Sequence, residues 1–170
     1  MKGGNTSEKC LVKCFVDSEK IVKATVDWIK EKLSGEISGH DWNHAQAVWN
    51  NAKEIADSEV NVNRLVIELA ALLHDINDWK QETLESERNT QIVENQLRKI
   101  GVDEGTIDQV MEITKKVSFL GPNFKEEEMN LEGQIVRDAD RLEALGAIAW
   151  ERINQFGKAK GIQNINEYLP

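Results

Sequence analysis

Only two prolines, Pro122 and Pro170, occur in this chain of 170 residues, so little in the sequence forces a helix to break. Cysteine is as scarce. Cys10 and Cys14 stand four apart with Leu11 and Phe15 beside them. A structural zinc pair needs two further soft ligands, so both cysteines read as apolar positions of a first helix. No run approaches the roughly 18 apolar residues of a membrane span. The opening Met1-Lys2-Gly3-Gly4-Asn5-Thr6-Ser7-Glu8 lacks the apolar core of a secretion signal, and the expected location is cytoplasmic. Basic charge is short too: 21 Lys and Arg stand against 30 Asp and Glu, a net −9. That balance argues against a nucleic-acid groove, which needs a basic surface to displace counterions. It leaves room for a small phosphorylated substrate, provided a metal and a few placed cations offset the local potential.

Histidine is the scarcity that says most. All three histidines fall in short clusters, His40-Asp41-Trp42-Asn43-His44 and His74-Asp75, while Asp138-Ala139-Asp140-Arg141 adds carboxylates. Imidazole nitrogens with carboxylate oxygens make a mixed donor set that suits a borderline divalent ion such as Mn, Fe, Co, Ni or Zn. Taken singly, each has a blander reading as a capping Asp or a hydrogen-bonded core His. A charged pair directly after a long apolar run is costly without a partner, which favours the metal reading for His74-Asp75.

What the chain has in quantity is helical periodicity. Apolar residues make up 40% of it, enough for one domain with a sizeable core. Ile21, Val22, Thr25, Val26, Trp28, Ile29 and Leu33 follow an i, i+3, i+4 spacing that predicts a helix ending near Gly35. A second helix is expected over about Trp42 to Ser58, with Ala45, Val48, Trp49, Ala52, Ile55 and Ala56 inward. A third spans about Val62 to Ile76. Its run from Leu65 to Leu73 is nearly all apolar and reads as the central, buried helix. Glu82 to Ile100 is a more polar helix with Leu84, Ile92, Val93 and Leu97 as its inner stripe. Ile107 to Val117 follows, capped by Asp103 or Thr106, and Gly121-Pro122-Asn123 reads as a turn. A last helix starts around Leu131 and carries Ile135, Val136, Leu142, Leu145 and Ile148. With no alternating strand pattern, the expected fold is an all-α, single-domain bundle, residues 17 to 170, behind an N-terminal segment of residues 1 to 16. In such a bundle three helices bring His44, His74-Asp75 and Asp140 to one point, as inward ligands do in other helical metal proteins.

These residues resemble the H…HD…D signature of the HD-domain metal-dependent phosphohydrolases. The stretches Glu68-Leu69-Ala70-Ala71-Leu72-Leu73-His74-Asp75, Val117-Ser118-Phe119 and Ile135-Val136-Arg137-Asp138-Ala139-Asp140-Arg141-Leu142 look like the small bacterial YpgQ/YedJ subgroup, over roughly residues 20 to 160. The resemblance implies hydrolysis of nucleoside triphosphates to monophosphate and pyrophosphate, with a divalent ion as cofactor. Manganese is the first choice, with Fe, Co, Ni, Mg or Zn as alternatives. It implies His74 and Asp75 as metal ligands, with His44 favoured over His40 and Asp140 over Asp138 for the other two places. His40 then binds substrate phosphate or caps the site, and Asp138 orients a ligand or a bound water. Relatives usually continue with two further helices where this chain ends at Asn166-Glu167-Tyr168-Leu169-Pro170, which bears on substrate specificity.

Asp78, four residues after His74, shares its helical face and is the candidate base, a position similar to the acidic residue in the HDxxED pattern of related alarmone hydrolases. Capping the helix end or pairing with Lys80 is the alternative. Lys80 is the first choice for a catalytic phosphate contact, and Arg141 is either a substrate contact or a structural partner of a ligand or of Glu143. Trp42 and Trp79 flank the motifs and serve either core packing or base stacking. The expected partner is a small phosphorylated molecule, a nucleotide first, with no nucleic acid and no membrane, and a homodimer is left open. Two other functions fit the same scaffold: a phosphomonoesterase or cyclic-nucleotide phosphodiesterase, and a non-catalytic helical signalling module.

Overall fold

The computed structural model describes residues 6–34, 41–76, 84–117, 127–143 and 145. Among them are six helices and no strand: α1 Thr6–Lys32, α2 Trp42–Asp57, α3 Arg64–Leu73, α4 Leu84–Lys99, α5 Glu104–Val117 and α6 Leu131–Glu143. The expected Gly35 stop, the turn at residues 121–123 and Ile148 lie outside the described residues. α1 runs without a break across residue 16. None of the described helices is long and apolar enough to cross a membrane.

α3 is the centre of the bundle and packs against α1, α2, α5 and α6. Its composition dictates that position, since Val66, Ile67, Leu69, Ala70, Ala71, Leu72 and Leu73 are all buried and only two of its ten residues, Arg64 and Glu68, carry charge. Asn63 caps its start, accepting from the Val66 amide at 3.3 Å. The opposite end stops earlier than the periodicity predicts: α3 finishes at Leu73, and the Ile76 amide donates to the Leu73 carbonyl at 3.1 Å, closing a turn.

α2 lies against both α3 and α6 and buries His44, Ala45, Val48, Ala52 and Ala56. α4 packs on α5. The α4–α5 connection requires Gly101, which takes φ 91°, a conformation costly for any other residue. Around it the Val102 amide donates to the Leu97 carbonyl at 3.0 Å and the Gly101 amide to the Arg98 carbonyl at 3.1 Å, the paired bonds of a Schellman motif. Asp103 caps α5, accepting from both the amide and the hydroxyl of Thr106 at 3.1 and 2.7 Å, so α5 begins one turn before the expected Ile107.

The inner stripe of α4 is narrower than the spacing predicts: Val93 and Leu97 are buried, Ile92 is 43% exposed, and the side chain of Leu84 lies outside the described residues. Among the described helices α4 packs mainly on α5. Leu142 and Leu145, at 51% and 67% exposure, likewise stand out from the bundle. Ile67→Ala is expected to cost about 2–5 kcal/mol, the usual range for a truncated, fully buried aliphatic. Ile92→Ala should cost under about 1 kcal/mol at its half-open site. Urea unfolding of both variants checks the difference, and equal losses would contradict the placement of α4.

Candidate metal centre

Three separate pieces of local structure deliver the histidines and carboxylates to one point. On α2, Asp41 is the N-cap, and its Oδ1 accepts from the backbone amide of His44 at 3.1 Å. The cap therefore fixes the first turn at the residue that must point inward. His44 and His74 are both buried. His74 is the residue on which α3 ends, and its Nδ1–H donates to the Ala71 carbonyl at 2.8 Å. That bond sets the tautomer of the neutral ring and leaves Nε2 as the lone pair facing the centre. Asp75 follows in the turn, and Asp140 comes from the last turn of α6.

The four side chains meet closely. His44 Nε2 lies 3.1 Å from His74 Nε2 and 3.0 Å from Asp75 Oδ2. His74 Nε2 is 3.2 Å from Asp75 Oδ2. Asp140 Oδ1 is 3.4 Å from His44 Nε2 and 3.6 Å from His74 Nε2. Bonds of about 2.0–2.2 Å to one ion place neighbouring donors about 3.0–3.4 Å apart for octahedral to tetrahedral arrangements, so the donor set fits a single divalent cation. The electrostatics agree. Two ring nitrogens facing each other with lone pairs repel, and two carboxylates beside them add negative charge at the edge of an apolar core, which a cation relieves. The Asp75 and Asp140 side chains keep 23% and 25% of their surface exposed, so the cluster is dry on the histidine side and open to solvent on the carboxylate side.

The same charges act on the protonation of the cluster. Burial alone pushes the His74 imidazole toward its neutral form, but the charge of Asp75 and the hydrogen bonds with Asp140 and Asp75 outweigh it and hold the pKa well above 6.5. Burial raises the Asp140 carboxyl, yet its bond and attraction to His74 leave it below its ordinary value.

The other sequence candidates separate into two groups. His40, Asp78 and Lys80 lie outside the described residues, as do Trp79 and Ser118-Phe119. Arg141 is on α6 directly after Asp140 and is exposed. Asp138 does not orient the ligands: two residues before Asp140 it falls on the opposite side of α6, its side chain is 60% exposed, and its Oδ1 lies 4.0 Å from Arg137 Nε. Trp42 packs partly buried on the core, with Lys30 Nζ 4.7 Å from its ring centre, as the packing alternative expects. Sequence reasoning passed over Trp49 and Glu68 as polar contributors. Trp49 Nε1 donates to Glu68 Oε2 at 2.8 Å and ties α2 to α3 beside the site. A lone Glu inside an otherwise apolar helix was the available signal.

His74→Ala or Asp75→Ala is expected to strip a bound divalent ion while far-UV circular dichroism stays helical, whereas Asp138→Ala should leave affinity within about twofold, as for other surface changes. Protonation supplies a second check. A metal takes only neutral imidazole, so between pH 6.5 and the raised His74 value each ion bound must displace a proton, and affinity must climb with pH. Stability of the metal-free protein runs the other way: the His74 contribution is full below 6.5 and is lost as pH rises through its folded pKa. Calorimetric Mn²⁺ titration in two buffers of different ionisation enthalpy reads the released proton directly. A buffer-independent heat would contradict it.

Comparison with known proteins places these residues in context. Residues 41–145 match the family model of the HD domain. The uncharacterised protein YpgQ of Bacillus subtilis is 36% identical over 136 residues, 79% of this chain and 65% of that protein. A crystal structure from Lactobacillus plantarum superposes with a TM-score of 0.73 at 30% identity, covering 84% of this chain and 65% of the other. The structure of Bacillus subtilis YpgQ in complex with ADP gives 0.68 at 32% identity, covering 85% and 69%. An HD-superfamily hydrolase from Bacillus thuringiensis gives 0.64 at 35% identity, covering 85% and 68%. The chain thus spans about two thirds of the length of the proteins it matches.

Proposed function

The chain belongs to the HD domain family, and from that premise we propose that it is a divalent-metal-dependent phosphohydrolase that converts nucleoside triphosphates to monophosphate and pyrophosphate. The observation that carries the reading is the meeting of His44 Nε2, His74 Nε2 and Asp75 Oδ2 within 3.0–3.2 Å of one another, with Asp140 Oδ1 3.4 and 3.6 Å from the two histidine nitrogens. A nucleotide is favoured as substrate because a similar structure, that of Bacillus subtilis YpgQ, holds ADP. Manganese is the proposed ion, since two imidazoles with two carboxylates and no thiolate suit the harder half of the borderline divalent metals.

A divalent ion held by these four side chains would supply Lewis acidity toward water and a phosphate oxygen. The chain's own residues do the rest. The Ala71 carbonyl holds the Nδ1–H of His74, so Nε2 is the nitrogen that gives up its proton and faces the cluster. Asp78 is the proposed base for the attacking water. Lys80, His40 and Arg141 are proposed to hold the phosphates, with Lys80 on the departing pyrophosphate.

Phosphorus NMR of a reaction with ATP or dGTP and Mn²⁺, run without added pyrophosphatase, tests the bond that breaks. Pyrophosphate is the expected product. Orthophosphate with a nucleoside diphosphate, or intact triphosphate with free nucleoside, would assign a different phosphatase chemistry. No turnover of any phosphorylated compound would favour the non-catalytic reading. Asp78→Asn should bind Mn²⁺ normally and hydrolyse about 10²–10⁴-fold more slowly, the range for a lost general base. Near wild-type turnover would remove Asp78 from the mechanism.

A further inference from the structure

α2 presents His44 to the cluster, and Asn51 follows seven residues later, two turns along the same face. Its Nδ2 donates to the main-chain carbonyl of Ala139 at 3.3 Å. That carbonyl belongs to the peptide unit joining Ala139 to Asp140. Ala139 itself is fully buried, and α2 and α6 are packed against each other. We infer that Asn51 is a positioning residue for the metal centre: it holds the Ala139–Asp140 peptide on α2 and so sets the reach of the Asp140 carboxylate.

The need for such a device follows from how Asp140 is held. Its side chain is a quarter exposed, so packing alone does not clamp it, and its Oδ1 must stay near His44 Nε2 and His74 Nε2 at 3.4 and 3.6 Å. The apolar contacts of α6, through Ile135, Val136 and Ala139, bury it firmly. They are non-directional, however, and tolerate a slide along the helix axis. A slide of one residue is about 1.5 Å, enough to carry a ligand out of bonding range. A hydrogen bond from α2 to the backbone beside Asp140 opposes that slide, and it does so from the helix that also carries His44. The first turn of α6 has its own tie, Glu132 Oε1 accepting from the Asn63 amide at 3.0 Å. Asn51 is the corresponding tie at the ligand end.

The inference rests on the metal reading of the site, and its test separates the two. Mn²⁺ affinity is measured by calorimetric titration for the wild type, Asn51→Leu, Asn51→Asp, Asp140→Ala and the Asn51→Leu/Asp140→Ala pair, with metal-free melting temperatures as the control for folding. Asn51→Leu keeps bulk and removes the donor, and Asn51→Asp keeps shape and sets acceptor against acceptor. Both should weaken Mn²⁺ binding about 10–100-fold, as expected when a partner orienting the ligands is lost. The effect of Asn51→Leu should vanish once the Asp140 carboxylate is gone, because the two act as one unit. Unchanged affinity in both Asn51 variants, or the same fold-loss with and without Asp140, overturns the inference and leaves the metal site standing. Failure of the wild type to bind Mn²⁺ overturns the site reading and the inference together.

Discussion

The structure turns on one electrostatic constraint, the burial of two imidazoles beside two carboxylates where three helices meet. His44 and His74 nitrogens stand 3.1 Å apart with Asp75 and Asp140 oxygens within 3.6 Å of them, a spacing that a positive charge at the centre stabilises. A proton can provide that charge, and the neighbouring Asp75 and Asp140 carboxylates favour one on His74 against the cost of burial. A divalent cation provides it better, because it satisfies four donors at once. The buried, largely apolar α3 ends at the cluster, so the bundle core directly adjoins a group of charged side chains.

Apolar packing supplies the affinity between helices, and a small number of directed polar bonds supply the alignment. Asp41 sets the first turn of α2 at His44, Trp49 reaches Glu68 across the α2–α3 contact, and Asn51 and Glu132 tie α6 near its two ends. Lys53 Nζ lies 4.0 Å from the centre of the Trp49 ring, which places a cation over its face. Each such bond is worth about 1 kcal/mol in stability. Their larger effect is on ligand geometry, where displacements of an ångström matter more than the energy does.

The distribution of exposure around the cluster also bears on function. A site closed on all sides would suit a structural ion, whereas here the Asp75 and Asp140 side chains keep about a quarter of their surface exposed. Family membership and geometry thus lead to the same class of chemistry by independent routes.

Much of this was readable from residues alone. The central helix announced itself in the run from Leu65 to Leu73, the confinement of three histidines to two short segments marked the site, and the all-α class followed from the 3.6-residue period. These are local properties, dictated by side-chain chemistry and helix geometry. Other features depended on which neighbours each helix met. Ile92 fits an inner stripe by spacing yet lies 43% exposed, since among the described helices α4 packs mainly on α5. Asp138 and Asp140 look equivalent in sequence, and only the rotation of α6 against α2 turns one to solvent and the other to the histidines. His74 and Asp75 are adjacent in the chain, yet whether both side chains reach one point depends on where His44 and Asp140 stand beside the end of α3. Sequence determined which donors were available and on which helices. The packing of α2, α3 and α6 decided which of them share a point, because a ligand set is a property of distances between segments that no local pattern encodes.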